Sequence, residues 1–204
     1  MDLVDGVIKF DLEHETGPLP DWADISQLQG WFGRCRKLDL IGQHADRYQG
    51  AAYGNISQRG PTGFLITGTQ TGGQLRLEEK DVCWVKHIDL AHNRLTSSGP
   101  VKPSSESMTH EQVYRHVPEA NFVIHVHHKA MWNQASQLGM AATDKTAKYG
   151  TQEMAYEVER LLKDKQVRNT GAFSMGGHED GIVVFGDSAD QAGKRLEQLF
   201  GKVR

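Results

Sequence analysis

The stretch that decides the fold is Phe122-Val-Ile-His-Val-His-His128, an apolar segment interrupted by histidines. In an extended strand, residues two apart point to the same face, so His125 and His127 project side by side while Ile124 and Val126 point to the other face. Burying two imidazoles without a strong partner is costly. The spacing therefore predicts that these two histidines share a divalent metal ion, for which zinc is the best candidate. The alternative is a pair of partly buried histidines bonded to the backbone.

A catalytic zinc site usually has three protein ligands and one open position, so a third ligand is needed from elsewhere in the chain. The best candidate is His178, in the glycine-rich turn Met175-Gly-Gly-His-Glu-Asp-Gly181 just before a predicted strand. A plain turn histidine is the alternative, and Glu179 and Asp180 offer carboxylates at the same turn. We expect His128 to point away from the pair and to have a structural or supporting role.

Acid–base chemistry beside such an ion needs a carboxylate, and Pro103-Ser-Ser-Glu106 supplies one at the predicted start of a helix. Glu106 is therefore the acid–base candidate, although a first-turn glutamate also favours the helix dipole without any catalytic role. We expect Ser104 or Ser105 to cap this helix, and the same serines with the first helical amides offer an anion site.

Two small, hydroxyl-rich loops add potential anion donors, namely Gly54-Asn-Ile-Ser57 and Thr67-Gly-Thr-Gln-Thr-Gly-Gly73. Most such loops are simple turns, and neither has the spacing of a P-loop or a dinucleotide-binding fingerprint. The sequence therefore does not support nucleotide binding.

Hydrophobic periodicity along the chain predicts helices over residues 22–43, 104–117, 129–138, 151–163 and 188–200. It predicts strands over residues 7–12, 51–58, 63–67, 81–88, 121–127 and 181–185. A loop containing Ser97-Ser-Gly-Pro100 is expected after the fourth strand. Several successive strands flanked by helices predict a mixed or antiparallel sheet in an α/β/α or α+β architecture.

The chain has 204 residues, 38% of them hydrophobic, which predicts a single domain over residues 1–204 with residues 1–20 as an N-terminal extension. The formal charge of −3 comes from interspersed acids and bases, so nothing indicates binding to nucleic acid or to an anionic membrane. No apolar run approaches the roughly 20 residues of a membrane span, and the first residues lack signal-peptide features. We expect a soluble, cytoplasmic protein whose partner is a small molecule or another protein. In that reducing compartment Cys35 and Cys83 should be buried thiols.

Five motifs in order resemble the class II aldolase/adducin family over approximately residues 28–199. They are Gly54-Asn-Ile-Ser-Gln-Arg59, Phe64-Leu-Ile-Thr67, Pro103-Ser-Ser-Glu106, His125-Val-His127 and Tyr149-Gly-Thr151. The resemblance implies an α/β fold, a three-layer α/β/α sandwich with a central mixed, largely antiparallel sheet. It also implies a homotetramer with active sites between subunits and a zinc ion held by three histidines.

Transferred onto this chain, the resemblance makes His125, His127 and His178 the metal ligands and Glu106 the acid–base residue. It assigns the substrate phosphate to Asn55, Thr69, Ser104 and Ser105, and it offers Tyr149 as a proton donor from a neighbouring subunit. The implied function is a zinc-dependent lyase of the class II aldolase type. Such an enzyme would reversibly cleave a small hydroxy-carbonyl compound, possible substrates including sugar phosphates, through a metal-stabilised enediolate.

Two alternatives remain within the resemblance. One is a sugar-phosphate epimerase or dehydratase on the same site, and the other is a non-catalytic, adducin-like binding module. Retention of Glu106, His125 and His127 favours an enzyme. The chain departs from the family near the third ligand, where Glu179-Asp180 separates His178 from Gly181, and in the threonine loop, where the family commonly has Thr-Pro-Ser/Thr-Gly.

Overall fold

The protein's structure, a computed structural model, describes residues 7–203, and this part contains eleven strands and six helices. The strands are β1 Asp11–Thr16, β2 Gly42–Gln43, β3 Ala52–Tyr53, β4 Asn55–Arg59, β5 Phe64–Thr67, β6 Val82–Asp89, β7 Arg94–Gly99, β8 Phe122–His127, β9 Ala141–Ala142, β10 Ala172–Ser174 and β11 Gly181–Gly186. The helices are α1 Ser26–Lys37, α2 Ser107–His116, α3 Lys129–Asn133, α4 Gln152–Leu162, α5 Lys165–Thr170 and α6 Ala189–Gly201.

Nine strands form the main sheet in the order β1-β7-β6-β5-β4-β8-β11-β10-β9, and β2 and β3 pair separately. Neighbouring strands are antiparallel except for two parallel pairs, β1 with β7 and β9 with β10. The prediction of a mixed, largely antiparallel sheet is therefore confirmed. The histidine strand β8 lies inside this sheet, between β4 and β11.

Helices cover both faces of the sheet. Ile124 and Val126 belong to an apolar cluster that includes Leu28 of α1 and Leu196 of α6. Val123 belongs to the opposite cluster, which contains side chains of α2 and α4. Every residue of β8 is buried, because a strand with helices on both sides has no solvent face. The α/β/α prediction is confirmed, and the α+β alternative is not needed.

Several predicted boundaries are wrong for local reasons. Helix α1 covers only residues 26–37 of the predicted 22–43, because the chain turns through Asp39 with φ of 56°. The predicted strand 51–58 is divided at Gly54, whose φ is 76°. Helix α3 ends at Asn133, short of residue 138.

The N-terminal strand runs over residues 11–16 instead of 7–12, and residues 1–6 of the proposed extension lie outside the described part. The region predicted as a loop around Ser97 is strand β7, which is held between β1 and β6. Elements β9, β10 and α5 were not predicted, since two to six residues are too few for a periodic pattern.

Cys35 and Cys83 are both buried free thiols, as predicted. No helix between residues 7 and 203 is long and apolar enough to cross a membrane.

Candidate active site

The register of the sheet places the site on strand β8. Asn55 of β4 lies opposite His125, and Gly181 of β11 lies opposite His127. His178 belongs to the turn between β10 and β11, which is closed by a hydrogen bond from the Met175 amide to the Gly181 carbonyl at 2.9 Å. Because β11 pairs with β8, this turn delivers His178 to the end of the strand that carries the other two histidines.

The three histidines converge. Nε2 of His127 lies 3.2 Å from Nε2 of His125 and 3.0 Å from Nε2 of His178. One ring nitrogen from each lies within 4.8 Å of the others. All three side chains are buried, with relative exposures of 1%, 1% and 6% for His125, His127 and His178.

Burial keeps these imidazoles neutral. It lowers the pKa of His125 to about 4, although the hydrogen bond to the Ile182 carbonyl opposes the shift. Burial also lowers the pKa of His127 and of His178 well below the ordinary value, and repulsion from the neighbouring histidines adds to the effect. Neutral imidazole is the form that binds a metal ion.

The donor set fits a divalent metal. Nδ1 of His125 faces the Ile182 carbonyl at 3.2 Å and must donate there, so its Nε2 carries a lone pair. Nε2 of His127 could donate to only one of its two neighbours, which leaves further lone pairs facing each other inside a buried cluster. A cation satisfies these lone pairs at once, and three neutral histidine nitrogens with an open position are typical of catalytic zinc.

Glu106 lies at the entrance to helix α2. The predicted serine cap is wrong, because Glu106 itself occupies the N-cap position and no side chain caps the helix. Ser104 instead accepts a hydrogen bond from the Glu106 backbone amide at 3.2 Å within the preceding turn. The Glu106 side chain is 3% exposed, and its Oε2 accepts a hydrogen bond from Thr109 at 3.2 Å.

The threonine loop lies beside the two serines. Gly68 forms an isolated β-bridge with Pro103, and the Thr69 amide donates to the Lys102 carbonyl at 3.0 Å. These contacts bring Thr69 next to Ser104 and Ser105, which are both buried. Hydroxyl and amide donors from two separate chain segments therefore meet at one place.

A single pocket collects eight of the nine predicted site residues, together with parts of the loops around residues 52–54 and 68–72. The eight are Asn55, Thr69, Ser104, Ser105, Glu106, His125, His127 and His178. Asn55 is 6% exposed, and its Oδ1 has no hydrogen-bond partner among residues 7–203. The pocket thus presents metal-ligand nitrogens, a carboxylate and several hydrogen-bonding groups to the same small volume.

Tyr149, the ninth residue, packs behind the metal-ligand candidates of its own chain. Its ring centroid lies 4.8 Å from that of His178. Gly150 has φ of 65° and approaches the Ser105 carbonyl so closely that a Cβ would lie 3.0 Å from it, which allows this loop to reach the site. The Lys9 ammonium lies 3.4 Å from the centroid of the Tyr149 ring and donates to the Tyr149 carbonyl at 2.7 Å.

The sequence did not point to the aromatic wall beside His127. The Tyr48 and Tyr53 ring centroids lie 4.7 Å and 5.5 Å from that of His127. The Tyr53 hydroxyl donates to Asp39 at 2.6 Å, and Arg47 donates to the same carboxylate at 2.6 Å. Tyr53 directly precedes the Gly54-Asn55 motif, and this position weakly indicates that it lies near the site. No feature of the sequence around Tyr48 indicates that it lies there.

A second buried polar group was also missed. His110, one helical turn after Glu106, has its Nδ1 2.6 Å from the Ser57 hydroxyl, and Ser57 lies 2.7 Å from the Tyr114 hydroxyl. Burial lowers the pKa of His110 well below its ordinary value. The i to i+4 spacing from Glu106 is the signal that could have placed it on the site's side of the helix.

His128 caps α3, its Nδ1 accepting from the Met131 amide at 3.2 Å, which confirms a structural role.

The fold and three converging histidines that could hold a metal ion resemble the class II aldolases, and comparison with known proteins shows the family. Residues 43–200 match the family described as Class II Aldolase and Adducin N-terminal domain. The match covers more than half of the chain, and the protein belongs to this family.

Two curated relatives are methylthioribulose-1-phosphate dehydratases. The protein of Enterobacter sp. (strain 638) is 36% identical over 73 residues, covering 28% of this chain and 35% of the relative. The protein of Gluconobacter oxydans (strain 621H) is 28% identical over 101 residues, covering 48% of this chain and 46% of the relative. The chain matches less than half the length of these relatives.

Among solved structures, the l-fuculose-1-phosphate aldolase from Thermus thermophilus is similar, with a TM-score of 0.59 and 20% identity over 85% of this chain and 87% of that one. A sugar-phosphate aldolase from Thermotoga maritima has a TM-score of 0.61 and 16% identity, covering 86% of this chain and 89% of that one. At this identity the likeness establishes the fold.

Proposed function

We propose that the protein is a zinc-dependent lyase that acts on a small phosphorylated hydroxy-carbonyl compound. The observation that carries the proposal is the single pocket in which His125, His127 and His178 converge beside the buried Glu106 carboxylate. A structural histidine cluster would not need a carboxylate and a hydroxyl-rich loop in the same pocket. This combination favours catalysis over an adducin-like binding module.

The three histidines would hold the ion, with Nδ1 of His125 fixed by the Ile182 carbonyl. A bound zinc supplies a Lewis acid that stabilises negative charge building up on the substrate's carbonyl oxygen. Another divalent metal with the same ligand preference would serve the same role. The burial of the histidines keeps their nitrogens neutral and available as ligands.

Glu106 would transfer the proton. Thr109 holds one carboxylate oxygen at 3.2 Å, which orients the side chain toward the pocket it lines. In a dehydration, Glu106 takes a proton from the carbon beside the carbonyl and gives it to the hydroxide that leaves the next carbon, so one water is released and the carboxylate is restored. In an aldol cleavage, Glu106 takes the proton of a hydroxyl group, and the carbon–carbon bond breaks to release an aldehyde. The proton then goes to the carbon of the other fragment, which keeps the electron pair of the broken bond.

Asn55, Thr69, Ser104 and Ser105 would bind the substrate phosphate. Hydroxyl groups, a side-chain amide and the backbone amides of the loop at residues 68–72 are suitable donors for it. Tyr149 is retained as a catalytic candidate, since its ring packs on His178 and Lys9 fixes its loop. Because Tyr149 contacts His178 of its own chain, the simpler form of this proposal is that Tyr149 acts in the site of its own subunit.

The curated relatives favour dehydration over aldol cleavage as the reaction of this protein. The sequence alone favours aldol cleavage, with dehydration or epimerisation as the alternative. Both curated relatives described above are dehydratases, and this supports dehydration of a ketose 1-phosphate as the first candidate. Aldol cleavage stays the second. Family membership supports a homotetramer, as the resemblance implies.

The test begins with protein purified without chelator and analysed for zinc, nickel, manganese and iron. The metal-loaded protein is then incubated separately with methylthioribulose 1-phosphate and l-fuculose 1-phosphate. Mass spectrometry detects loss of water, and an aldehyde-specific assay detects cleavage. Chelator-treated protein and the same protein reloaded with zinc are the matched controls, and light scattering measures the molar mass of the assembly.

Loss of one water that requires zinc would support the dehydratase assignment, and release of an aldehyde would support the aldolase. A protein that carries no divalent metal and binds none on addition would overturn the enzyme proposal.

A further inference from the structure

The segment Tyr48–Gly50, beside the site, has an unusual backbone. Tyr48, Gln49 and Gly50 have φ values of 48°, 59° and 80°, so three consecutive residues adopt the left-handed conformation. Only glycine adopts it without cost, and runs of such residues persist where surrounding contacts hold them. The contacts of Tyr48 identify what holds this segment.

Three residues, Asp180, Arg47 and Tyr53, contact the Tyr48 side chain and fix it. Its hydroxyl donates to Oδ2 of Asp180 at 2.8 Å, which joins the segment to the turn that carries His178. The guanidinium of Arg47 lies 5.4 Å from the Tyr48 ring centroid and 4.7 Å from that of Tyr53, on which Tyr48 packs edge-on at 5.1 Å. The ring therefore has little freedom to rotate.

Asp180 is adapted to this contact. It is 7% exposed, its φ is 64°, and its carbonyl accepts the His128 amide at 2.8 Å. It belongs to the Glu179-Asp180 pair that separates His178 from Gly181 and departs from the family pattern. A buried carboxylate in a left-handed turn is energetically costly. The hydrogen bond from the Tyr48 hydroxyl offsets part of that cost.

The Tyr48 ring meets His127 edge to face, with centroids 4.7 Å apart and an interplanar angle of 74°. Nδ1 of His127 is buried and has no hydrogen-bond partner among residues 7–203. Metal-ligating histidines almost always have a carboxylate, carbonyl or water on the second nitrogen to fix the ring. At His127, the aromatic rings of Tyr48 and Tyr53 pack against the imidazole.

We propose that Tyr48 is a positioning residue: held by Asp180, its ring fixes the His127 imidazole in the orientation that directs Nε2 toward His125 and His178. The inference rests on the metal site of the proposed function, and it goes further by assigning a role to two residues outside the ligand set.

The experiment measures the zinc dissociation constant by competition with a chromophoric chelator, and the visible absorption of the Co²⁺-loaded protein. Tyr48→Phe keeps the ring and removes the donor, so we expect zinc binding to weaken about tenfold, the lower end of the usual effect of such changes. Asp180→Gly removes the acceptor while permitting the positive φ, and we expect the same loss. A shifted Co²⁺ spectrum should accompany both.

Two variants serve as controls. Asp180→Asn keeps an acceptor oxygen, and asparagine tolerates the left-handed conformation, so zinc affinity should stay within about twofold of wild type. Tyr156→Phe removes the hydroxyl of an exposed tyrosine on α4 and should change nothing. Because Tyr48 and Asp180 act as one unit, the Tyr48→Phe/Asp180→Gly double variant should bind zinc no more weakly than either single variant.

The outcomes separate this inference from the proposed function. Stoichiometric zinc in wild type with unchanged affinity in both Tyr48→Phe and Asp180→Gly would overturn the inference alone. Additive losses in the double variant would overturn the coupling between the two residues. If wild type binds no zinc, the proposed function and the inference fall together. Should one single variant fail to fold, the other decides.

Discussion

At the scale of single residues, the site is built around three histidines whose pKa values are lowered by burial. Nε2 of His127 lies 3.2 Å from Nε2 of His125 and 3.0 Å from Nε2 of His178. Glu106 provides a buried carboxylate in the same pocket. Neutral ligands and a nearby carboxylate are what a metal-assisted proton transfer needs.

Replacing Glu106 by glutamine should separate catalysis from metal binding. Glu106→Gln keeps the shape and the N-cap position of the side chain but cannot accept the proton, so kcat should fall by about 10² to 10⁴. The three histidines remain, and bound zinc should stay at the wild-type stoichiometry. Steady-state kinetics on whichever of the two sugar phosphates the wild-type protein converts, together with metal analysis, check both expectations.

Glu111→Gln is the matched control. Glu111 lies on the helix that follows Glu106, its carboxylate forms a 2.7 Å ion pair with Arg115, and it does not line the pocket. It should keep wild-type kcat. A Glu106→Gln enzyme with more than a tenth of wild-type kcat would remove Glu106 from the proposed acid–base role.

At the scale of elements, the site depends on close approaches that only glycine permits. Gly54 joins β3 to β4 with φ of 76°, directly before Asn55. A Cβ at this position would lie 2.6 Å from Cγ1 of Ile41 and 3.1 Å from the His125 carbonyl. The junction therefore combines a left-handed backbone with tight contact to the histidine strand.

Gly54→Ala should lower the free energy of unfolding by roughly 2–4 kcal/mol, since the left-handed conformation and the steric conflict both add cost. Gly33→Ala is the control, because nothing lies within 4 Å of a Cβ at Gly33 in helix α1. That change should leave stability equal or up to about 1 kcal/mol higher. Urea unfolding measures both, and equal stabilities of the two variants would refute the role assigned to Gly54.

The elements also show what a sequence alone can predict. The histidine strand was predictable, because apolar residues and a spacing of two fix both its burial and the shared face of His125 and His127. The helices α4 and α6 have strong amphipathic patterns and were predicted almost to their ends. Strand β7 was missed because Arg94–Gly99 is mostly polar, and its pairing with β1 and β6 outweighs its low apolar content.

Within the site, residues in recognisable motifs were predictable, and residues brought in by tertiary contact were not. Lys9 reaches Tyr149 across 140 positions of the chain, and Tyr48 reaches Asp180 across 132. In neither pair does a short-range sequence pattern indicate the contact. The serine cap was wrong for a different reason: Ser104 bonds to the Glu106 amide within its own turn, a competing interaction that serine often makes.

At the scale of the whole molecule, the fold buries four histidines that have lowered pKa values: His110, His125, His127 and His178. Two helical layers cover a nine-stranded sheet, and the four histidines, on strand β8, helix α2 and the turn between β10 and β11, are buried within this arrangement. Folding therefore depends on these side chains staying unprotonated, which links stability to pH.

In zinc-free protein, the free energy of unfolding should fall as the pH is lowered from 7.5 to 5.5. Below about pH 6.5 the unfolded chain protonates these histidines while the folded chain does not, so the unfolded state binds more protons and stability rises with pH. Each histidine contributes up to about 1.4 kcal/mol per pH unit until the pH reaches its folded pKa, which for His125 is about 4. Carboxylates contribute mainly at lower pH.

Urea unfolding in the presence of chelator at pH 7.5, 6.5 and 5.5 measures this slope. His110→Gln should lower it by the contribution of one histidine, because the substituted side chain does not titrate. Zinc-loaded protein should lose stability more steeply over the same range, since protons compete with the metal for the three ligands. A stability independent of pH between 7.5 and 5.5 would mean that the folded protein accommodates charged histidines at these positions, and the neutral ligand set on which the metal site depends would then be wrong.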